Sequence, residues 1–172
     1  NRGSRWANSG LVVEIHPEDV LSTPTNDPLA LMNWIERLEG ESWTQARCSL
    51  RAPAQRMTDF LSGRSSVDLP KSSYNMGLTP SRLDEWLPSF ITKRIQKAFQ
   101  LFDRQTKGFL TAEAQLIALE SRTSSPVRIL RESTSCEHPL LRGLFPCGEG
   151  AGYAGGIVSA AMDGERCAEG VA

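Results

Sequence analysis

Gly143-Leu-Phe-Pro-Cys-Gly-Glu-Gly-Ala-Gly-Tyr-Ala-Gly-Gly-Ile-Val-Ser-Ala-Ala-Met-Asp-Gly164 is the stretch on which the fold turns. A short apolar run at 144–147 gives way to a loop with five glycines in nine positions, 148–156, and then to a helical pattern whose face is Ile157, Ala160, Ala161, Gly164 and Ala168. Glycines let the backbone approach a ligand closely, and the first N–H groups of a helix lack partners and carry partial positive charge. Spacing alone leaves two readings open: an anion-seeking cradle, or a turn that lets a helix pack close to a sheet. Glu149 bears on the choice, because a carboxylate there repels phosphate but accepts hydrogen bonds from sugar or polyol hydroxyls. A ligand with hydroxyls near Glu149 and negative charge near the helix satisfies both halves.

Upstream of that stretch, residues 115–121 and 126–130 read as two strands joined by Arg122-Thr-Ser-Ser125, and 144–147 as a third. Ile91, Ile95, Ala98, Phe99 and Phe102 recur at spacings of three and four, with Lys93, Arg94 and Lys97 largely off the stripe, which predicts an amphipathic helix ending before Gly108. Residues 80–87 predict a short helix interrupted by Pro88, and the Ser-, Pro- and Gly-rich residues 64–80 a long irregular connection. The spacing predicts a strand at 47–52 that leads through Pro-Ala-Gln-Arg into an apolar segment at 57–61. Asp27 followed by Pro28 has the form of a helix N-cap and first position, and the pattern Leu31, Met32, Ile35, Leu38 then runs to Gly40. Residues 23–27 read as a loop, and Leu11-Val-Val-Glu-Ile15 as a strand. No internal repeat or low-complexity tract is present.

The chain has 172 residues, of which 40% are hydrophobic and 23% charged, with 14 glycines and 10 prolines, a composition that supports a packed core. That length suits one domain or part of a larger protein. Its formal charge of −1 creates no field for nucleic acid or an anionic membrane surface. The longest uncharged run near the C-terminus falls short of the ~20 residues that span a bilayer, so no membrane partner is expected. The chain opens on Asn1 without an apolar leader, and reads as a piece whose N-terminus lies upstream. Cys48, Cys136, Cys147 and Cys167 are scattered without metal-ligand spacing, so free thiols in a reducing compartment and no metal site are expected. Cys147 reads as a small buried hydrophobe rather than a redox thiol. His16 and His138 each precede a proline and read as loop or element edges.

The 143–164 stretch, together with Glu120-Ser-Arg-Thr-Ser-Ser-Pro-Val-Arg-Ile129, closely resembles the C-terminal region of a family of FAD-dependent dehydrogenases of largely unassigned substrate. The resemblance extends to Trp6-Ala-Asn-Ser-Gly-Leu-Val-Val13, Arg51-Ala-Pro-Ala-Gln-Arg56 and Pro70-Lys-Ser-Ser-Tyr74, and so covers nearly the whole chain. It implies that the chain is the C-terminal part of a two-dinucleotide-binding-fold flavoprotein of α/β class, carrying a mixed helix and strand (α+β) cap and the returning strand, loop and helix of the FAD domain. Residues 1–47 would end the central part, 48–110 form a cap or substrate segment, and 111–172 return to the FAD-binding domain.

The same resemblance implies FAD as cofactor, with contacts from Gly148, Glu149, Gly150, Ala151, Gly152, Tyr153, Gly155, Gly156 and Ile157. Glu149 would meet the ribityl chain, and the helix N-terminus the pyrimidine edge of the isoalloxazine. Arg122, with Thr123 and Ser124 beside it, could orient an anionic substrate, and equally could pair with a carboxylate as a structural anchor; Gln55 and Arg56 could line the same cleft, or equally be ordinary polar residues of the surface. The substrate is an unknown small molecule, the electron donor unknown, NAD(P)H included, and no residue is marked as a general acid or base. The ADP-holding GxGxxG unit of the family is missing from these residues, since Gly150-x-Gly152-x-x-Gly155 lies inside the flavin loop. The piece alone is therefore expected to be inactive and to hold FAD weakly. A rival class is a non-catalytic remnant whose helices at 28–39 and 89–103 serve as an interaction surface. Cytoplasm or another reducing compartment is the expected location, the plastid stroma among them.

Overall fold

The structure, a computed structural model, describes residues 3, 5–21 and 26–171. Residues 23–25 of the expected 23–27 loop lie outside that set. The chain divides into two compact units, one of residues 1–22 and 36–119 and the other of residues 23–35 and 120–172.

The first unit is an α+β assembly around a three-stranded mixed sheet of order β2-β1-β3. Strand β1 (Ala52–Arg56) runs parallel to β2 (Leu78–Pro80), with Pro53 opposite Thr79, and antiparallel to β3 (Gln115–Ile117), with Gln55 opposite Leu116. β1 is the strand at 47–52 displaced: Arg47 and Cys48 have φ of 59° and 51°, a left-handed conformation that no strand continues through, so pairing starts at Ala52. Proline in a central strand forfeits a donor. Here Ala52 N–H and Ala54 C=O face the β2 side, bonding Gly77 and Ser81, so the Pro53 nitrogen faces the end of β3, where the ladder stops. Its carbonyl accepts from Ala118 N–H at 2.9 Å. The small side chains of Ala52, Pro53 and Ala54 let both faces of the strand be covered, and all three are buried.

Helix α3 (Met57–Ser62) follows β1 directly and buries Met57 and Phe60. The stretch expected to be irregular ends, against expectation, in β2; then come α4 (Leu83–Trp86), shorter than the expected 80–87, and, past Pro88, α5 (Ser89–Gln105), as the spacing predicts. α5 buries Ile91, Thr92, Ile95 and Phe99, and the Phe99 ring stands edge-on to Phe60 at 6.3 Å and near Phe109 at 5.9 Å. Arg94, on the basic face, is spent inside the unit, donating to both Asp19 oxygens beside the short helix α1 (Pro17–Val20). His16 sits at the N-terminus of α1, an element edge.

Three further expectations give way. Residues 11–15 form no strand: among the described residues they have no ladder partner, and Val12 is 69% exposed. The helix expected to stop at Gly40 is α2 (Ala30–Gln45), which passes through it because nothing there needs a non-helical glycine; Asp27 does accept Leu29 N–H at the start, at 2.9 Å. Residues 115–121 shorten to β3, which completes this sheet.

The second unit contains α6 (Ile157–Val171) lying on irregular chain. Residues 126–130 and 144–147, expected as strands, are coil, because their backbone groups are taken otherwise: Ile129 N–H by Ala151 C=O, Ile129 C=O by the Tyr153 hydroxyl, and Leu144 C=O by His138 N–H. Cys136 is fully buried and Cys167 4% exposed, whereas Cys147 is exposed, against expectation. α6 lies so close to the chain at 135 that a Cβ on Gly170 would stand 2.3 Å from Ser135 C=O. Among the described residues no helix is long and apolar enough to cross a membrane.

Phe60, with no exposed surface, ends the series of rings that runs through Phe99 and Phe109 to Phe102. Phe60→Ala is expected to lower the stability of the first unit by about 3–5 kcal/mol, measurable as a shift of the urea midpoint.

Candidate functional site

The glycine loop closes as a turn within a turn. Gly152 N–H donates to Glu149 C=O at 2.9 Å, and Tyr153 N–H donates to Gly148 C=O at 3.0 Å. Gly148 and Gly152 hold φ of +72° and +84°, and a Cβ on Gly152 would sit 2.5 Å from Val127 C=O, so these two positions require glycine. Gly150 and Gly155 face open space. Gly148 lies against the first turn of α6, where a Cβ on it would stand 3.9 Å from the Ala160 Cβ.

The loop docks on residues 125–131, which brings together the two stretches that the sequence singled out. Ser125 Oγ donates to Gly150 C=O, Ile129 N–H to Ala151 C=O, Arg128 Nε to Gly152 C=O at 3.0 Å, and the Tyr153 hydroxyl to Ile129 C=O at 2.9 Å. Ala151 is buried, and the Tyr153 ring carries the Arg131 guanidinium 3.6 Å from its centroid and that of Arg128 at 4.9 Å. Ala151 and Tyr153 thus anchor the loop, while Glu149, Gly150, Gly155 and Ile157 are exposed. Ile157 is 92% exposed, so the face expected from Ile157, Ala161 and Ala168 is not the packed one. The packed side runs through Ala160, Asp163, Gly164 and Cys167, because Asp163 is drawn inward by a partner.

That partner is Arg131. Its Nη2 donates to Asp163 Oδ1 at 2.6 Å and its Nη1 to Oδ2 at 2.9 Å, with further bonds to Pro146 C=O at 2.7 Å and Cys167 Sγ at 3.0 Å. Asp163 Oδ2 also accepts Gly148 N–H at 2.9 Å. The Arg131 hydrogen bonds hold the Asp163 carboxyl down at about 2, against the pull of burial, and the bond from Gly148 adds to this. Arg131 is correspondingly pushed above its ordinary value. Burial, with a hydrogen bond to Cys136, pushes the Cys167 thiol up to about 11.

Glu149 is the exposed acid of the loop. Beside it, α6 opens with N–H groups that precede its first bond, Ala160 N–H to Gly156 C=O at 2.8 Å. An exposed acceptor, open space at two glycines and orphan helix donors are the donor and acceptor set that a ribityl chain and a flavin edge require, so these residues fit FAD. Arg122, Thr123 and Ser124 lie exposed in the same unit.

Gln55 and Arg56 sit in the first unit and are consumed there. Gln55, with no exposed surface, donates through Nε2 to Arg64 C=O at 2.9 Å and Asp84 Oδ1 at 2.6 Å, and accepts Asp84 N–H through Oε1 at 3.2 Å. Although burial pushes Asp84 up, bonds from Arg82 and Gln55 hold its carboxyl below the usual range. Arg56 forks onto Asp68 Oδ1 at 2.9 and 3.1 Å. These geometries tie connecting loops to β1. A shallow groove lined by Leu69, Pro70, Ser72, Tyr74, Gly77, Leu78 and Pro80 holds no carboxylate, imidazole or thiol. Among the described residues no cluster of His, Cys, Asp and Glu could hold a metal ion.

Sequence reasoning missed Ser125, Arg128, Arg131 and Asp163. The available signal was the polar pair Asp163 and Arg131: a carboxylate on the inner side of an alanine-rich helix needs a cation, and an arginine lies just after the 120–129 stretch.

Gly152→Ala is expected to cost about 1–3 kcal/mol, from the positive φ and the carbonyl it would strike, seen as a lower melting temperature. The second unit should also respond to pH. Asp163 is depressed in the fold, so its stabilisation is present above the unfolded carboxyl value of ~3.9 and is lost as pH falls towards about 2. Cys167 is raised, so its contribution is present below the ordinary thiol range and is lost as pH climbs towards about 11. Denaturant midpoints across both windows check the signs.

Residues 1–123 match the family described as "FAD-dependent protein, C-terminal domain-like". An uncharacterised protein of Clostridium beijerinckii is 38% identical over 165 residues, which is 95% of this chain and 30% of that relative. The chain thus spans under a third of the length of the curated relative that it matches. With the family match covering well over half of its residues, the chain belongs to the FAD-dependent protein family, as a C-terminal-domain-like member.

Proposed function

We propose that the chain is the C-terminal region of an FAD-dependent oxidoreductase, a dehydrogenase of two-dinucleotide-binding fold, supplying the flavin-side contacts of FAD and part of the substrate cleft. In this reading the first unit is the cap, and the second is the part of the FAD domain that returns after it. The observation that carries it is the exposed Glu149 carboxylate on a loop locked by its glycines and set against the first turn of α6.

Each residue then has a defined task. Glu149 accepts hydrogen bonds from ribityl hydroxyls, and the N–H groups opening α6 favour electron density at the flavin edge. Gly150, Gly155 and Gly156 leave room for the ring system to come close to backbone, while Ala151, Gly152 and Tyr153 keep the loop in shape. Arg122, with Thr123 and Ser124, is the remaining candidate for orienting an anionic substrate; Gln55 and Arg56 serve the cap internally. The flavin, when bound, supplies the hydride and electron transfer that no side chain here provides. The substrate and the electron donor, NAD(P)H among the candidates, are to be found by a reduction screen.

The test uses the full-length protein that carries this sequence. It is expected to purify with flavin absorbance. Glu149→Ala should remove one or two charge-assisted bonds of about 1.5–3 kcal/mol each and so weaken FAD retention at least tenfold. Full flavin occupancy in Glu149→Ala, measured by fluorescence after dialysis, would overturn the site.

A further inference from the structure

We propose that the buried Arg131–Asp163 pair is the positioning element of the flavin site, gripping both ends of the loop that carries Glu149. This rests on the FAD reading of that loop. At one end, Asp163 Oδ2 takes the Gly148 N–H at 2.9 Å, immediately before Glu149. At the other, the Arg131 guanidinium lies 3.6 Å from the Tyr153 ring centroid. Tyr153 N–H in turn closes onto Gly148 C=O at 3.0 Å, so the pair and the loop form one closed circuit of contacts.

Three features argue that this circuit serves placement rather than stability alone. Burying a guanidinium and a carboxylate is a poor route to stability, since apolar side chains of similar volume do as well or better. Here the pair is well inside, with Arg131 5% and Asp163 11% exposed, on a helix face otherwise made of Ala160, Gly164 and Cys167. The bidentate geometry and the stacked ring also fix direction as well as distance, which one ion pair between flexible chains does not. Lastly, the Asp163 oxygens are both spent on Arg131 and Gly148, so Asp163 has nothing directed at a ligand and acts through Glu149.

The experiment measures FAD dissociation constants and the visible circular dichroism of bound flavin in the full-length protein, for Asp163→Asn, Arg131→Lys and Glu149→Ala, alone and combined. Arg131→Lys keeps a positive charge opposite Asp163, but loses the fork and the flat stack on Tyr153. Phe60→Leu, in the first unit and remote in role from the loop, is the control for lost stability. Asp163→Asn and Arg131→Lys should each weaken FAD at least tenfold and change the dichroic band, whereas Phe60→Leu at similar loss of melting temperature should change neither. In the Glu149→Ala background, Arg131→Lys should cost less than threefold more, because its effect passes through Glu149. Wild-type FAD affinity in Arg131→Lys, or an equal loss with and without Glu149, overturns the proposal while leaving the flavin site standing. Unchanged affinity in Glu149→Ala overturns the flavin reading itself, and this proposal with it.

Discussion

A guanidinium removed from water must find a full set of acceptors, and in the second unit that demand organises everything around Arg131. Through Nη1 and Nη2 it makes four hydrogen bonds, which reach a carboxylate on α6, a carbonyl at Pro146 and a thiol at Cys167, three points that no strand connects. A segment without sheet hydrogen bonds has to satisfy its backbone by other means. Here the side chains of Ser125, Arg128, Arg131, Tyr153 and Asp163 do so, which is why residues 120–156 hold a defined course as coil. The first unit solves the same problem on a smaller scale, with buried Gln55 answering Arg64 and Asp84.

Helices were the legible part of the fold, because their signal is local. The stripe Ile91, Ile95, Phe99 and the break at Pro88 each act within one or two turns, and α5 and α4 follow them. The strands were less legible for the opposite reason, with only β3 falling inside an expected strand, 115–121. Ala-Pro-Ala-Gln-Arg carries no β-branched residue and a proline, yet becomes the central strand because its small side chains admit cover on both faces. Leu-Val-Val-Glu-Ile has the right residues, yet among the described residues it lies beside no strand. Strand formation depends on what lies alongside, which a single sequence does not state.

The candidate site divides along the same line. Glycine spacing made the loop visible, since positive φ at Gly148 and Gly152 is a property of those residues themselves. What holds the loop was hidden, because Arg131 and Asp163 are 32 positions apart and their meeting is a fact of tertiary structure. The resemblance pointed to the 120–129 stretch without a reason for it, and the docking of the glycine loop on residues 125–131 provides one. Arg122, named first from sequence, lies at the exposed end of that stretch, and Arg128 and Arg131 lie where it meets the loop.

The four cysteines fall into two pairs of opposite accessibility, Cys48 and Cys147 at the surface and Cys136 and Cys167 inside the second unit. A thiol held protonated by its surroundings is a poor nucleophile, and one shielded from solvent meets reagents only when its cover lifts. Alkylation of Cys136 and Cys167 therefore keeps time with the opening of α6 from the chain beneath it. The molecule carries its own clock for local unfolding, readable by mass spectrometry without any added label site.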